Sequence, residues 1–229
     1  MRQDRTDDTI EEGDTSFVNL KDKLASNSRY RERLEQFGPT IQALASGAPE
    51  RRLVRYGVLA DVGQLHGASV LDLGCGLADF YDYLCSRGIH TKYTGYDISP
   101  DLITSATARF PEVEFEVRDI QRDGIPREFE YIFSSQAFNY RLSHEENLDM
   151  VKDILRRCLD KARKAVACDF LSSYVDYQED HLYYYSPEDM LRYCKSLTKR
   201  VLLRHDYPLF EFAIYLYPDF QGWNADRQA

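Results

Sequence analysis

From Ser69 onward, short apolar runs alternate with amphipathic stretches. "SVLDLG" reads as a strand ending in glycine, "LADFYDYLCSRG" as an amphipathic helix closed by Gly88, and "KYTGYDIS" as a second strand. "SPDLITSATARF" predicts a helix with Ser99 as its cap and Pro100 at the first position, where the missing N–H costs nothing and φ is preset. "VEFEVRDI" alternates as a strand, "FEYIFSSQAF" reads as a buried one, and Ser143 with Glu146 predicts a capping box for a long helix running to about Lys161. "AVACDFLSS" is the next strand, and Pro187 opens the helix "PEDMLRYCKSL". "RVLLRHDYPLFEFAIYLY" holds two β-rich runs split at Tyr207-Pro208, a hairpin. Alternating strands and helices imply an α/β, doubly wound, mostly parallel sheet covered on both faces, with the hairpin adding an antiparallel pair at one edge.

Upstream the pattern is different. Residues 1–26 mix Asp, Glu, Arg and Thr with few apolar anchors and predict a flexible acidic head without a fold. Residues 27–66 predict an N-terminal helical cap: two short helices broken at Gly38-Pro39, then a third from about Glu50 to Val62. Residues 67–220 hold the α/β core, with which the cap forms one domain. At 229 residues and 43% hydrophobic, the chain can fill such a core. A net charge of -9 repels nucleic acid on average and makes a small molecule the default partner. No apolar run reaches the roughly 18 to 20 residues that span a bilayer, and "MRQDRTDDTIEEGD" is no signal peptide, so the expected location is the cytoplasm. Cys75, Cys85, Cys158, Cys168 and Cys194 are odd in number and lack any CxxC spacing; they read as packing residues, not as a disulfide framework or a metal site.

Gly74 and Gly76 lie where the first strand turns into a helix, the place where open α/β sheets bind ligands. A dinucleotide fingerprint wants a further glycine at position 79, which here is Asp79, a poor neighbour for a pyrophosphate. Asp97 closes the second strand, 21 residues after Gly76, where a carboxylate accepts both hydroxyls of a ribose. Asp119 ends the third strand within reach of an adenine amine, and Ser135 and Gln136 end the fourth. Two glycines alone are explained by a tight bend, but the ordered set from Asp72 to Asp119 points to a nucleoside-containing ligand.

"VLDLGCGLADF", "YTGYDIS", "VEFEVRDI" and "YIFSSQAF" resemble the successive cofactor motifs of the class I S-adenosylmethionine-dependent methyltransferases. The likeness runs from about Ser69 to Leu171, and the order of elements carries it to Tyr217. It implies a seven-stranded sheet with the last strand antiparallel. It also implies that the backbone at Gly74, Cys75 and Gly76 holds the methionine part of S-adenosylmethionine, with Asp72 beside it. Asp97 would take the ribose hydroxyls with Ile98 against the adenine, Asp119 the adenine amine with Ile120 on the ring, and Ser135 and Gln136 would line the cavity toward the sulfonium. Many members have glycine where this chain has Ala78. "FGPT" and "RRLVRYGVL" resemble the helical cap of small-molecule members. The basic clusters "RYRER" and "RRLVR" read as solvated helix faces, the alternative being that Arg29, Tyr30 and Arg33 close over the cofactor.

The acceptor is less constrained. "SSQAFNYRLS" lacks both the Pro-Pro-aromatic signature of amide- and adenine-methylating members and the aspartate of metal-dependent catechol-type members, so neither nucleic acid nor magnesium is expected. His144 and His181 are the candidate general bases, each also readable as a solvated side chain; His66, His90 and His205 read as structural. "YVDYQEDHLYYYSPED" gathers tyrosines and carboxylates that either meet a substrate or only cover the sheet edge. Tyr140, Tyr183 and Tyr184 are the candidate substrate contacts. The expectation is a metal-independent transferase that methylates a hydroxyl or amine of a small molecule by in-line transfer. The alternative is a non-catalytic regulatory or scaffold protein that binds S-adenosylmethionine or S-adenosylhomocysteine; a nicotinamide oxidoreductase is disfavoured by Asp79. The sequence leaves the acceptor and the oligomeric state open.

Overall fold

A computed structural model describes residues 20–44, 49–144 and 146–219. The strands are β1 (Ser69–Leu73), β2 (Lys92–Asp97), β3 (Glu114–Val117), β4 (Phe129–Ser134), β5 (Ala162–Leu171), β6 (Arg200–Arg204) and β7 (Glu211–Tyr217). They form one sheet in the order β3-β2-β1-β4-β5-β7-β6. The first five run parallel, and β7 lies antiparallel to both β5 and β6. The chain winds outward from β1 in one direction and from β4 in the other, so the carboxyl ends of these two neighbours open a crevice.

Alternate residues of each central strand feed opposite faces, and both faces are buried. Leu71, Ile132, Val166 and Ile214 meet Val151, Ile154 and Leu155 of α6 (Asn147–Lys161) and Met190 of α7 (Pro187–Leu197) in one core. Val70, Phe133, Ala167 and Tyr215 meet Tyr56 and Leu59 of α2 (Pro49–Ala60) and Phe80 and Leu84 of α3 (Asp79–Ser86) in the other. The cap read from sequence at Ser99 is present: it accepts from Leu102 N–H at the start of α4 (Pro100–Arg109). Ser186, just before Pro187, also caps its helix, accepting from Asp189 N–H at the start of α7. Cys75, Cys158, Cys168 and Cys194 are buried and unbridged.

Three expectations are corrected. The first helix, α1 (Leu20–Phe37), starts inside the stretch expected to have no fold; residues 1–19 lie outside those described. Its anchors are ionic and distant in sequence, which a count of apolar residues misses: Lys23 pairs with Asp119 at 2.6 Å, and Asp22 accepts from Ser143. After the Gly38-Pro39 break comes only a single 3₁₀ turn, Ile41–Leu44, in place of a second short helix. The capping box at Ser143 does not form: α6 begins only at Asn147, and the Ser143 N–H that would donate to Glu146 donates to Asp22 instead. α6 begins at Asn147, whose buried amide ties down the preceding loop by accepting from Leu142 N–H at 2.8 Å and donating to Tyr140 O at 2.6 Å. No helix among the described residues is long and apolar enough to cross a membrane.

Gly95 in β2 fixes how closely the sheet and the β1 turn approach. A Cβ there would lie 2.7 Å from Cys75 Sγ and 2.7 Å from the Phe115 ring. Gly95→Ala is therefore expected to destabilise the protein by about 1–3 kcal/mol through overpacking, measured as a lower urea midpoint at unchanged m-value.

Candidate active site

Beyond β1 the chain turns sharply at Gly74, which has φ +70° and whose Cβ would fall 2.5 Å from that of Ala137. Both the left-handed conformation and the close approach require glycine there. Gly74 N–H and Cys75 N–H donate to Tyr96 O at 2.8 and 3.1 Å, fastening the turn to β2. Asp97 completes the clasp: one carboxylate oxygen accepts from Gly76 N–H at 3.0 Å and the other from Ser99 N–H at 2.9 Å. Ala78, where relatives of the resembled family carry glycine, is left-handed at φ 61°. That conformation costs an alanine about 1–2 kcal/mol, offset in part by burying its methyl, worth about 0.8 kcal/mol. Asp79 points away from the turn into an ion pair with Arg52 at 2.6 Å and Arg109 at 2.5 Å.

The turn borders a cavity of about 540 Å³ at the carboxyl ends of the strands. Every residue named from the sequence as a cofactor contact lines it: Asp72, Gly74, Cys75 and Gly76 after β1, Asp97 and Ile98 after β2, Asp119 and Ile120 after β3, and Ser135 and Gln136 after β4. Asp119 caps α5 (Ile120–Asp123) by accepting from Gln121 N–H at 3.0 Å, while its other oxygen meets Lys23. Helix α1 roofs the cavity with Arg29 and Tyr30, the Arg29 guanidinium stacking 3.7 Å above the Tyr140 ring. Arg33 does not join them; it donates to Ala43 O at 3.0 Å and to Gln42 O, bracing the 3₁₀ turn.

One polar network was not foreseen. Arg55 of α2 donates to both carboxylate oxygens of Glu211 at 2.7 Å and lies 3.9 Å from Asp169, all three being buried. Asp169 in turn accepts from Ser135 Oγ at 2.7 Å, from Gln136 N–H at 2.9 Å and from Gln136 Nε2 at 2.8 Å. It thereby holds Gln136 in a left-handed conformation at φ 60°. The available signal was a charge embedded in an apolar run: Asp169 in "AVACDFL", Glu211 before "FAIYLY", and Arg55 beside Tyr56.

The candidate bases lie outside this cavity. His144 is exposed on the loop before α6. His181 is also exposed, 3.5 Å from Glu179, and borders a smaller adjoining pocket. Both sit on connections whose side chains follow the loop path, which hydrophobic patterning does not specify. Tyr140 and Tyr184 line the main cavity. Tyr183 instead packs edge-on against Tyr185 at 4.7 Å and under Arg141.

Burial governs the titration of the carboxylates. Desolvation pushes Asp72 up to about 7 despite the hydrogen bond donated by Tyr93 OH, and raises Asp97 despite its backbone donors. Asp169 rises to about 6 for the same reason, restrained by Arg55. For Asp72 the folded state holds the proton more tightly than the unfolded chain. Its stability contribution is therefore complete below about pH 4 and lost as pH rises through about 7. Asp72→Asn keeps an acceptor for Tyr93 and cannot ionise, so its melting temperature is expected to gain on the wild type between pH 5 and pH 8; a constant difference across that range would refute the assignment.

The family model described as "Methyltransferase domain" matches residues 70–162. The chain is 36% identical over 154 residues to the putative methyltransferase Rv1506c of Mycobacterium tuberculosis, a match covering 64% of this chain and 90% of that protein. It is 30% identical over 95 residues to the trans-aconitate 2-methyltransferase of Sinorhizobium medicae, covering 42% of this chain and 37% of that enzyme. Among solved structures, the DhpI complex with S-adenosylhomocysteine superposes with a TM-score of 0.64 at 16% identity, covering 86% of this chain and 97% of that one. Magnesium protoporphyrin IX methyltransferase from Synechocystis does so with 0.61 at 12% identity, covering 86% and 95%. With the sheet order, the turn at Gly74 and these matches in agreement, the chain belongs to the class I S-adenosylmethionine-dependent methyltransferases.

Proposed function

We propose that the protein transfers a methyl group from S-adenosylmethionine to a hydroxyl or amine of a small molecule by direct in-line displacement, without a metal ion. The observation that carries this reading is one cavity of about 540 Å³ bordered by the Gly74 turn, Asp97 and Asp119 on one side and by Tyr177, Glu179 and Tyr184 on the other. A cavity of that size suits small organic ligands. The match to trans-aconitate 2-methyltransferases, named for a small acceptor, agrees with it.

The residues present fit the cofactor. Asp97 has both oxygens fixed by backbone N–H groups yet retains lone pairs for a ribose diol. Ile98, Leu102 and Ile120 offer apolar faces to an adenine, Asp119 an acceptor to its amine, and the turn beside Asp72 takes the methionine part. The cofactor supplies an electrophilic methyl group on a sulfonium.

What remains for the protein is positioning, which supplies a large share of the acceleration of a displacement. Gln136 Nε2 donates to Asp169, which leaves Oε1 to accept from the O–H or N–H of an acceptor. Asp169 is thus a positioning residue acting through Gln136. Among the described residues no histidine lines the cavity, so an amine would bind in its neutral form and shed its proton after transfer. Nor do three His, Cys, Asp or Glu side chains among the described residues gather as a metal set.

Calorimetry is expected to show S-adenosylhomocysteine bound in the micromolar range and NADH not bound. Asp97→Ala removes two charge-assisted interactions and is expected to weaken S-adenosylhomocysteine about 100-fold. Incubating a small-metabolite extract with methyl-labelled S-adenosylmethionine should label a low-mass product, and Asp169→Asn should cut that turnover about tenfold or more with S-adenosylhomocysteine affinity retained. Binding without labelling of any small molecule would favour the non-catalytic alternative.

A further inference from the structure

Beside the main cavity lies a second pocket of about 490 Å³ that shares Arg29, Tyr140, Arg141 and Leu142 with it and is completed by Ser143, Asp180 and His181. It extends the cavity away from the Gly74 turn, past Tyr140.

The charges around this pocket are unbalanced. Arg55 and Arg118, which also line the main cavity, are neutralised by Glu211 and by Glu116 at 2.8 Å. Arg141, which is exposed and lies over the Tyr183 ring, is not: Nε donates to Asp180 O and Nη2 to Leu182 O, both at 3.0 Å, so among the described residues its hydrogen-bond acceptors are backbone carbonyls and no carboxylate. Arg29 stacks its guanidinium on Tyr140, and its Nη1 is buried with no hydrogen-bond partner among the described residues. A buried donor left without an acceptor costs about 1–3 kcal/mol. A stacked guanidinium also keeps its in-plane edge open for a planar anion. The facing acids are fewer or otherwise engaged. Asp180 is the one carboxylate among the described residues that borders the pocket, and Glu179 lies 3.5 Å from His181. The rim already holds one oxyanion: the Ser143 N–H and hydroxyl both donate to the carboxylate of Asp22.

We propose that Arg29 and Arg141, on either side of Tyr140, form an oxyanion subsite, so that the methyl acceptor carries a carboxylate or phosphate group distal to its reacting atom. The inference rests on the reading of the main cavity as the methyl-transfer site, and it names the acceptor class that reading leaves open. With its anion between the two guanidiniums, such an acceptor extends past Tyr140 toward Gln136. A cationic tail would meet two unpaired guanidiniums and be repelled.

The test uses full-length protein labelled with ¹⁵N on arginine side chains, titrated at fixed ionic strength with succinate, inorganic phosphate or propylamine, each with and without S-adenosylhomocysteine. Saturable shifts of the Arg29 and Arg141 Nε–H signals are expected with at least one oxyanion and none with propylamine; the tighter oxyanion names the group. Arg141→Gln and Arg29→Gln should each weaken that oxyanion about tenfold, and Arg29→Lys, which keeps the charge but not the fork, should fall between. Absence of a saturable shift with either oxyanion, or equal binding in both Gln variants, overturns the subsite. Loss of S-adenosylhomocysteine binding with oxyanion binding intact would instead overturn the cofactor reading. The wild-type titration decides the question even where a variant folds poorly.

Discussion

One buried guanidinium holds the cap, the sheet and the site in register. Arg55 reaches from α2 to satisfy both oxygens of Glu211 on β7 and to face Asp169 on β5. Two carboxylates so deep in the fold would be untenable unpaired, and breaking such a pair by removing one partner typically costs about 3–5 kcal/mol. The requirement therefore works in both directions: the strands can present acids at this edge only because the cap docks, and the cap docks where those acids are. From Asp169 the constraint passes to Ser135 and Gln136, whose hydroxyl, backbone N–H and amide all end on that one carboxylate. The cap helix thereby positions Ser135 and Gln136 through Asp169.

The same edge gathers Asp72, Asp97 and Asp119, since parallel strands deliver their carboxyl-terminal residues to one end of the sheet. Each is compensated differently. Asp72 has the Tyr93 hydroxyl, Asp97 two backbone N–H groups, and Asp119 a backbone N–H with Lys23 of α1. The compensation grows more exchangeable in that order. Desolvation dominates at Asp72, whereas the salt bridge at Asp119 belongs to a roof helix without a fully buried residue of its own.

Legibility followed the distance over which information had to act. Strand alternation, the Ser99-Pro100 and Ser186-Pro187 helix starts and the contiguous turn motif are local, and the residues expected around a cofactor converge on one cavity. The start of α1 was missed because its anchors are Lys23 with Asp119 and Asp22 with Ser143, far apart in sequence and invisible to an apolar count. The same contact competes with the capping box, since the Ser143 N–H that would donate to Glu146 donates to Asp22. Arg55 and Glu211 lie 156 residues apart, and only the oddity of a charge within an apolar run marked them. His144 and His181 project from loops, where facing the cavity depends on the path of the backbone.

These arrangements leave the cavity electrically polarised. Its inner end, under the strand termini, is built from carboxylates whose charge is only partly cancelled, while its outer end past Tyr140 carries the guanidiniums of Arg29 and Arg141, which have no carboxylate partner among the described residues. The chain's net charge of -9 does not anticipate such an outer end, because a global sum averages over a separation of a few side chains. Opposite charges at the two ends of one cavity sort ligands by orientation as well as by affinity. Under the proposed oxyanion subsite, a cationic group is favoured at the Gly74 end and an anionic one beyond Tyr140, with Gln136 between them. Arg55 buried under the floor and Arg29 stacked in the roof are both guanidiniums, but only the one matched by carboxylates has become part of the scaffold.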